Sequence, residues 1–400
     1  MTVRYLLVFS LFFSQTPLAD EWVFGKTTPV SPHTGKKIFH HVESSGRKNI
    51  AVNNKSVVVV WEDNHNNGSP QVYAAFKNLG KGKFSKPVQI STGKVAYEPS
   101  VVTLDNNFIV AFEQDNRVWA RLVNESSLGQ ITRLSQGKAS QASIAAMGKR
   151  IIATWSERGN KFKRIKMAQL LETGGRLQIE KRKQVDPDPP ATDQIYPAVA
   201  MSINGAAIVW EDRRFGHTAL FSCHTKNGKI DCPSAAINNI IRKSKKYGRG
   251  NGVTRVALTT VSKGQIAATW MDKRGFLTGY DIYTSISENG GKSFLENTQV
   301  QDDFGNDIAQ WHPAITGSPK GRIIIAWDDN RDETSDIWLS WKEGARWSDD
   351  VPVIPASGPG IQTDPSIVLD SQEKLHIVWI NKENDRPSQL FYTSAIFRNN

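Results

Sequence analysis

The amino-acid sequence predicts an all-β fold, a seven-bladed β-propeller built from four-stranded antiparallel blades. The first observation is an apolar, β-branched run that ends in an aromatic residue and recurs seven times. The second is the spacing of these aromatic anchors, which is 51, 43, 55, 60, 57 and 52 residues. The third is that no amphipathic helical pattern longer than two turns interrupts the repeats. The anchors are Trp61, Phe112, Trp155, Trp210, Trp270, Trp327 and Trp379.

Each repeat contains the same four predicted strands. A short inner strand comes first, and in four repeats a proline marks its start. The anchor strand follows after a turn, and a polar loop then leads to an alternating third strand such as 281–285. A Gly-rich turn precedes a fourth strand such as 86–90. The second repeat is the most degenerate, so six blades plus an irregular segment is the alternative architecture.

The two ends of the chain are predicted to share the last blade. The final repeat stops after its third strand at 391–394, and no clear fourth strand follows. Residues 22–30 resemble an orphan fourth strand. We expect this N-terminal strand to complete the last blade and so to remove an exposed sheet edge.

Residues 1–19 have the pattern of a secretory signal peptide. Arg4 gives a positive start, residues 5–13 form an apolar core, and Ala19 precedes a plausible cleavage point at Asp20. A short buried strand is the alternative. We therefore expect a secreted or periplasmic protein whose residues 20–400 form a single propeller domain. Removing the segment lowers the formal net charge from +11 to +10, because it takes away one arginine.

The two cysteines support export. Cys223 and Cys232 flank Asn227-Gly228, a pair typical of two-residue hairpin turns. Counting outward from this turn places the two cysteines opposite each other in a non-hydrogen-bonded pair, where side chains approach most closely. The spacing predicts a cross-strand disulfide, and two free buried thiols are the alternative.

The segment Ser287-Glu-Asn-Gly-Gly-Lys-Ser-Phe294 resembles the Asp-box, or BNR repeat, of the sialidase-like β-propeller superfamily. Asn289 stands where that motif has Asp, Ser293 replaces Thr, and Phe294 replaces Trp. Strand ends with the pattern Trp-any-Asp-any-Arg are also similar to secreted members of the superfamily. For sialidases, the resemblance implies an arginine triad, a Tyr/Glu nucleophilic pair and an Asp acid. The sequence lacks the Arg-Ile-Pro motif of their first arginine, so no catalytic residue is transferred and sialidase activity itself is not expected.

Propeller geometry predicts which side chains surround one mouth of the central channel. Inner strands begin and anchor strands end on the same face of the ring, so residues at these points converge. Those at inner-strand starts are the catalytic candidates Glu98, Tyr196, His312 and Asp364. Those after the anchors are the ligand-binding candidates His65, Asp212, Arg213, Arg214, Asp272, Arg274, Asp329 and Arg331. The Asp/Arg pair recurs in three repeats, so the alternative for it is architectural: Asp holds loop amides and Arg bridges adjacent blades.

Charge is unevenly distributed along the chain. Residues 232–271 contain seven basic and no acidic residues, and residues 158–183 contain nine basic and two acidic ones. These stretches favour an anionic partner such as a uronate, sialylated or sulfated glycan, and a solvated surface is the alternative. No nucleic-acid-binding motif accompanies them, so nucleic acid is not expected. The seven basic residues are Arg242, Lys243, Lys245, Lys246, Arg249, Arg255 and Lys263.

No metal or cofactor site is predicted with a recognised spacing. The acidic segments 302–307 and 328–332 offer oxygen ligands for calcium, but neither matches the twelve-residue calcium-binding loop. We therefore expect no cofactor, with calcium as the alternative.

The leading functional hypothesis is a secreted, monomeric propeller that binds a glycan or another polar or anionic ligand at the channel mouth. The first alternative is a glycoside hydrolase or polysaccharide lyase that acts on an anionic glycan. The second is a non-catalytic scaffold for a protein partner. No apolar run after the N-terminal segment is long enough to span a membrane.

Overall fold

The computed structural model describes residues 21–398, apart from 34, 36, 43–45, 81, 228, 234, 239–251, 275–278, 303–307 and 384–386. The predicted signal peptide lies outside the described residues. So do parts of the predicted basic and acidic segments, namely Arg242, Lys243, Lys245, Lys246, Arg249, Asp303, Asn306 and Asp307.

Seven antiparallel sheets follow one another along the chain, which confirms the seven-bladed propeller. Blades are numbered here in chain order, and strands run from the inner strand at the channel to the outer strand at the rim. Blade 1 contains His40–His41 and Ile50–Val52 as two pieces of its inner strand, then Ser56–Asp63, Gln71–Asn78 and Val88–Gln89. Blade 2 contains Ala96–Leu104, Asn107–Gln114, Arg117–Val123 and Leu128–Arg133. Blade 3 contains Ala139–Met147, Arg150–Arg158, Lys163–Thr173 and Arg176–Gln184.

The remaining blades repeat this order. Blade 4 contains Gln194–Ser202, Gly205–Asp212, Ala219–Lys226 and Lys229–Asp231. Blade 5 contains Val253–Thr260, Ile266–Asp272, Asp281–Ser287 and Thr298–Gln299. Blade 6 contains Trp311–Gly317, Ile323–Asp332, Thr334–Glu343, Arg346–Trp347 and Val351–Pro352. Blade 7 contains Ile361–Leu369, Leu375–Lys382 and Gln389–Arg398. Short 3-10 turns lie at Ser262–Gly264 and Ile354–Ala356, and no described helix has the length and apolar character needed to cross a membrane.

The N-terminal strand closes the ring, as the sequence predicts. Glu21–Phe24 pairs with Gln389–Arg398, so that Trp22 lies opposite Phe397, and Thr28–Pro29 pairs with the same strand. Trp22 is 6% exposed and packs against the rings of Phe397 and Trp341 at 5.0 and 6.2 Å. Blade 7 therefore takes strands from both ends of the chain.

Replacing the closing aromatic residue should destabilise the whole ring. Trp22→Ala leaves a cavity in a core shared by blades 6 and 7, and we expect it to lower the free energy of unfolding by about 3 kcal/mol. Urea denaturation followed by tryptophan fluorescence measures this. Ile396→Ala is the matched control, because Ile396 lies in the partner strand and is 56% exposed. Equal stability of the two variants would contradict closure by this strand.

The aromatic anchors form the core between the blades. The six anchor tryptophans are each at most 1% exposed, and Phe112 is fully buried. The recurring Trp-any-Asp pattern has a physical cause, since the indole N–H donates to the carboxylate two residues later. Nε1 of Trp61 donates to Asp63 at 2.7 Å, and Nε1 of Trp327 donates to Asp329 at 3.0 Å. The tryptophans are therefore architectural.

Six of the seven inner strands carry a two-residue bulge near their start. The first bulge residue adopts a left-handed backbone conformation, with φ between 47° and 62°. This residue is not paired with the neighbouring strand. In several blades its amide instead donates a hydrogen bond to a side chain of the preceding blade. The Glu98 amide, for example, donates to Glu62 Oε2 of blade 1 at 2.8 Å. These bulge residues are Glu98, Gln141, Tyr196, Arg255, His312 and Asp364.

The predicted disulfide is confirmed. Cys223 and Cys232 are bonded across the third and fourth strands of blade 4. The strand register pairs Lys226 with Lys229 and His224 with Asp231, as counting from the turn predicts.

Candidate functional site

A segment of blade 1 closes the central channel. Eight residues, 42–49, separate the two pieces of its inner strand, where the other blades have two bulge residues. The part Gly46–Asn49, called the plug here, reaches across the ring. The Lys48 carbonyl accepts a hydrogen bond from the Val101 amide of blade 2 at 2.7 Å, and the Asn49 amide donates to Ser366 of blade 7 at 3.1 Å.

The plug also contacts the far side of the channel. A Cβ atom on Gly46 would lie 2.7 Å from the carbonyl oxygen of Val256 in blade 5, so only glycine fits there. Its φ of +71° adds to this requirement. The cavity that remains, lined by the plug and by inner-strand residues of five blades, has a volume of about 20 Å³. That is room for about one water molecule. The plug therefore fills most of the channel between these inner strands.

Arg47 of the plug lies beneath the catalytic candidates of blades 2 and 4. Its side chain is 1% exposed, and its Nη2 atom lies 2.7 Å from Glu98 Oε2. Its guanidinium carbon is 5.8 Å from the centre of the Tyr196 ring. The guanidinium carbon of Arg255 is 4.8 Å from the same ring. One phenol and two guanidinium groups thus meet beside a carboxylate.

Four acidic residues behind the mouth were not among the residues predicted to form the site. Each directly follows an aromatic anchor, and each accepts the amide of a bulge residue in the next blade. The Arg255 amide donates to Glu211 at 2.7 Å, and the Asp364 amide donates to Asp328 at 3.0 Å. An acidic residue one position after the anchor, in four of seven repeats, was the available signal. The four residues are Glu62, Glu113, Glu211 and Asp328.

Burial and nearby charges shift the pKa values of two neighbouring carboxyl groups in opposite directions. Burial, reinforced by the charge of Glu98, raises the pKa of Glu113 to about 8. Burial also opposes ionisation of Glu98, but Arg47 and a hydrogen bond with Glu113 outweigh it and lower the pKa of Glu98. Burial raises the pKa of Glu211 to about 7. Near neutral pH the mouth therefore contains a protonated carboxyl group next to an ionised one.

A second cluster brings together the other two catalytic candidates. His312 Nδ1 lies 2.8 Å from Asp328 Oδ1 and 3.6 Å from Asp364 Oδ1. Asp328 is 2% exposed, and burial raises its pKa although His312 opposes the shift. The His312 side chain is 32% exposed. The imidazole is thus held by the buried carboxylate of Asp328 and the partly exposed carboxylate of Asp364, while part of it faces the mouth.

The repeated Asp/Arg pairs contact each other within the blades. Arg214 binds Asp212 at 2.6 Å and reaches Asp186 of the preceding blade at 2.9 Å. Each arginine also stacks on an aromatic ring of its own blade, at 3.8 to 4.2 Å. These contacts agree with the architectural alternative, and a ligand-binding role stays a prediction. The pairs are Asp212 with Arg214, Asp272 with Arg274, and Asp329 with Arg331.

The two remaining candidates differ from these pairs. His65 Nδ1 lies 2.5 Å from Asp63 Oδ1, and its ring stacks on His33 at 3.7 Å. It thus takes the place of the arginine in blade 1. Arg213 is exposed in the loop that follows the anchor strand of blade 4. Neither belongs to the two clusters at the mouth.

The contacts within the Asp/Arg pairs predict that their loss lowers the free energy of unfolding. Asp329→Ala removes the partner of Arg331 and the acceptor of the Trp327 indole, so we expect a loss of about 3 kcal/mol in the free energy of unfolding. Arg213→Ala, an exposed change in the same kind of loop, should stay within about 0.5 kcal/mol. Chemical denaturation compares the two. An Asp329→Ala variant of full stability would show that the pairs are not structural.

The acidic segment near residue 302 is organised by an arginine. Arg331 Nη1 lies 2.9 Å from Asp350 Oδ2 and 4.0 Å from Asp302 Oδ1. Burial raises the pKa of Asp350 to about 7, although Arg331 opposes the shift. No three His, Cys, Asp or Glu residues in the described part of the chain are grouped to hold a metal. Calcium at segments 302–307 and 328–332 stays a prediction, and residues 303–307 lie outside the described part of the chain.

Solved structures share this architecture over almost the whole chain. A protein of unknown function from Dyadobacter fermentans is 13% identical, covers 94% of this chain and 99% of its own, and gives a TM-score of 0.57. The fold is a β-propeller. The β-propeller domain of the Trilobed protease from Pyrococcus furiosus is 9% identical over 90% of this chain and 96% of its own, with a TM-score of 0.53. At such identities the similarity shows the fold alone.

Sialidases are also among the structures that this propeller matches. Trypanosoma rangeli sialidase in complex with the inhibitor DANA is 10% identical over 78% of this chain and 56% of its own, with a TM-score of 0.47. No protein-family model matches the sequence, and no curated protein does.

The segment that resembles an Asp-box forms a tight turn in this propeller. Asn289 Oδ1 accepts hydrogen bonds from the amides of Lys292 and Ser293 at 3.1 and 3.0 Å. The turn joins the third and fourth strands of blade 5, on the face opposite the mouth. This placement keeps the motif away from the candidate site.

Proposed function

We propose that the protein binds a glycan at the mouth, above the plug. The observation that carries this proposal is the placement of unlike side chains from different blades at the same face of the ring. Glu98 and Tyr196 come from blades 2 and 4, Arg255 from blade 5, and His312 and Asp364 from blades 6 and 7. Carboxylates, guanidiniums, an imidazole and a phenol can together donate and accept the many hydrogen bonds of a sugar.

An acidic glycan is the best match for this proposal. Arg255 lies above the plug, and its guanidinium stacks on the Tyr196 ring. A stacked guanidinium is held in one plane, which favours a bidentate contact with a carboxylate or sulfate group. Export to the periplasm or beyond is part of the same proposal, and the disulfide supports it because such bonds persist in oxidising compartments.

Titration calorimetry with tetragalacturonate and with the neutral tetramer of galactose tests the proposal. We expect the acidic tetramer to bind more tightly, and Arg255→Met to remove this preference. Arg176→Met is the control, because Arg176 is exposed on the outer strand of blade 3. Absence of binding by both tetramers would contradict the proposal, as would equal effects of the two arginine variants.

Cleavage of the bound glycan is a second candidate function. It is favoured by the bond between His312 and buried Asp328, since a carboxylate that orients an imidazole is a common feature of general acid–base sites. A reducing-end assay on tetragalacturonate measures cleavage directly. Turnover that is lost in His312→Gln while binding persists would establish the activity, and binding without turnover in the native protein would exclude it for this substrate.

A further inference from the structure

Trp311 is exposed to solvent, unlike the tryptophans that anchor the blades. The six anchor tryptophans are at most 1% exposed, whereas Trp311 is 40% exposed. It precedes His312 at the start of the blade 6 inner strand and therefore lies on the mouth face. The same position in other blades is taken by Tyr97, Ser140, Ile195, Thr254 and Thr363, so the blade architecture does not require an aromatic residue there.

The Trp311 ring packs against the Tyr280 ring at the edge of the mouth. Its ring centre lies 5.2 Å from that of Tyr280, with an angle of 66° between the planes. The backbone next to Trp311 contacts Tyr280 as well, because the Gln310 amide donates a hydrogen bond to the Tyr280 carbonyl at 2.8 Å. The Trp311 ring centre is 6.5 Å from the His312 imidazole. Trp311 and Tyr280, together called the aromatic corner here, thus lie beside the candidate site and not within it.

Leaving a large aromatic surface in water costs free energy, at about 25 cal/mol for each Å² of apolar area. The apolar face of a sugar ring can cover such a surface, while its hydroxyl groups remain available for hydrogen bonds. Lys273 Nζ lies 5.6 Å from the Tyr280 ring and places a positive charge near this corner. The chemistry of the corner therefore fits a ring that carries an acidic group.

We propose that Trp311 and Tyr280 form an aromatic subsite for the sugar next to the one held in the mouth. The ligand is then an acidic oligosaccharide of at least two rings and not a single sugar. This inference rests on the proposed function. It adds that the ligand must be long enough to reach both the mouth and the aromatic subsite.

Calorimetry with galacturonic acid and tetragalacturonate distinguishes the subsite from the mouth. We expect Trp311→Ala to weaken binding of the tetramer about tenfold, while binding of the monomer changes less than twofold. Trp311→Phe should keep most of the affinity, because it keeps an aromatic face. Ile361→Ala is the control for lost apolar area, since Ile361 is 45% exposed at the start of the blade 7 inner strand.

Each result bears on a different claim. Equal weakening of monomer and tetramer by Trp311→Ala would overturn the subsite and assign Trp311 to the mouth. An unchanged tetramer affinity would also overturn it. If the native protein bound neither probe, the proposed function would fail, and the subsite with it. Near-ultraviolet circular dichroism of Trp311→Ala, unchanged apart from the lost indole, shows that the variant is folded.

Discussion

Arg47→Met should be the most damaging single change at the mouth, lowering the free energy of unfolding by about 3 to 5 kcal/mol. Arg47 is 1% exposed and contacts Glu98 at 2.7 Å, so its removal leaves an ionised carboxylate without its buried partner. The more exposed Arg255 gives the matched control, because Arg255→Met should cost less than about 1 kcal/mol. Urea denaturation at neutral pH measures both variants.

A second variant shows whether the loss comes from charge or from packing. Arg47→Met combined with Glu98→Gln removes both members of the pair, so we expect the double variant to recover much of the lost stability. If the double variant were no more stable than Arg47→Met alone, the loss would reflect packing of the plug. Full stability of Arg47→Met itself would show that Arg47 does not hold the mouth together.

The free energy of unfolding should fall as the pH rises from 6 to 9. Burial raises the pKa of Glu113 from its ordinary value near 4.5 to about 8, so the folded protein holds this proton more tightly than the unfolded chain. The stability that this proton contributes is complete below about pH 4.5 and is lost as the pH rises through about 8. Glu211 and Asp350, with pKa values of about 7, act in the same direction.

Glu113→Gln isolates the contribution of that carboxyl group. Glutamine mimics the protonated acid and cannot ionise, so the stability of this variant should decline less between pH 6 and 9, by on the order of 2 kcal/mol. Thermal melts across this range measure the difference. Glu180→Gln, on the exposed outer strand of blade 3, should keep the native pH dependence. Parallel pH profiles of all three proteins would show that Glu113 is already ionised near neutral pH.

The propeller was predictable because its signal is repeated and local. Each aromatic anchor ends its own apolar run, and such a run recurs seven times. The ring could therefore be predicted without knowing any contact between distant parts of the chain. Four of the six bulge residues were predicted to lie at inner-strand starts, since a proline directly follows Glu98, Tyr196, His312 and Asp364. Gln141 and Arg255, which no proline follows, were not. Closure of the ring followed from counting strands in the last repeat.

The chemistry of the mouth was harder to predict, because it depends on contacts between blades. Arg47 lies in an insertion without periodicity, and nothing in its local sequence indicates that it enters the channel. Glu113 resembles an ordinary strand residue until Glu98 of its own blade and Gln141 of the next blade are placed beside it. Arg331 could not be assigned to a ligand or to the architecture until Asp350 was found at 2.9 Å.

Pairing of the first described strand with the last has a consequence for the order of folding. Trp22 and Phe397 are neighbours in blade 7 but lie at opposite ends of the chain. Contacts between residues so far apart in sequence form late, since the loop between them must be ordered first. Blades 1 to 6 can form as the chain emerges, whereas blade 7 must wait for residues 389–398. Until then Trp22 has no partner strand, and the nascent ring exposes two sheet edges on which chaperones or other chains could act.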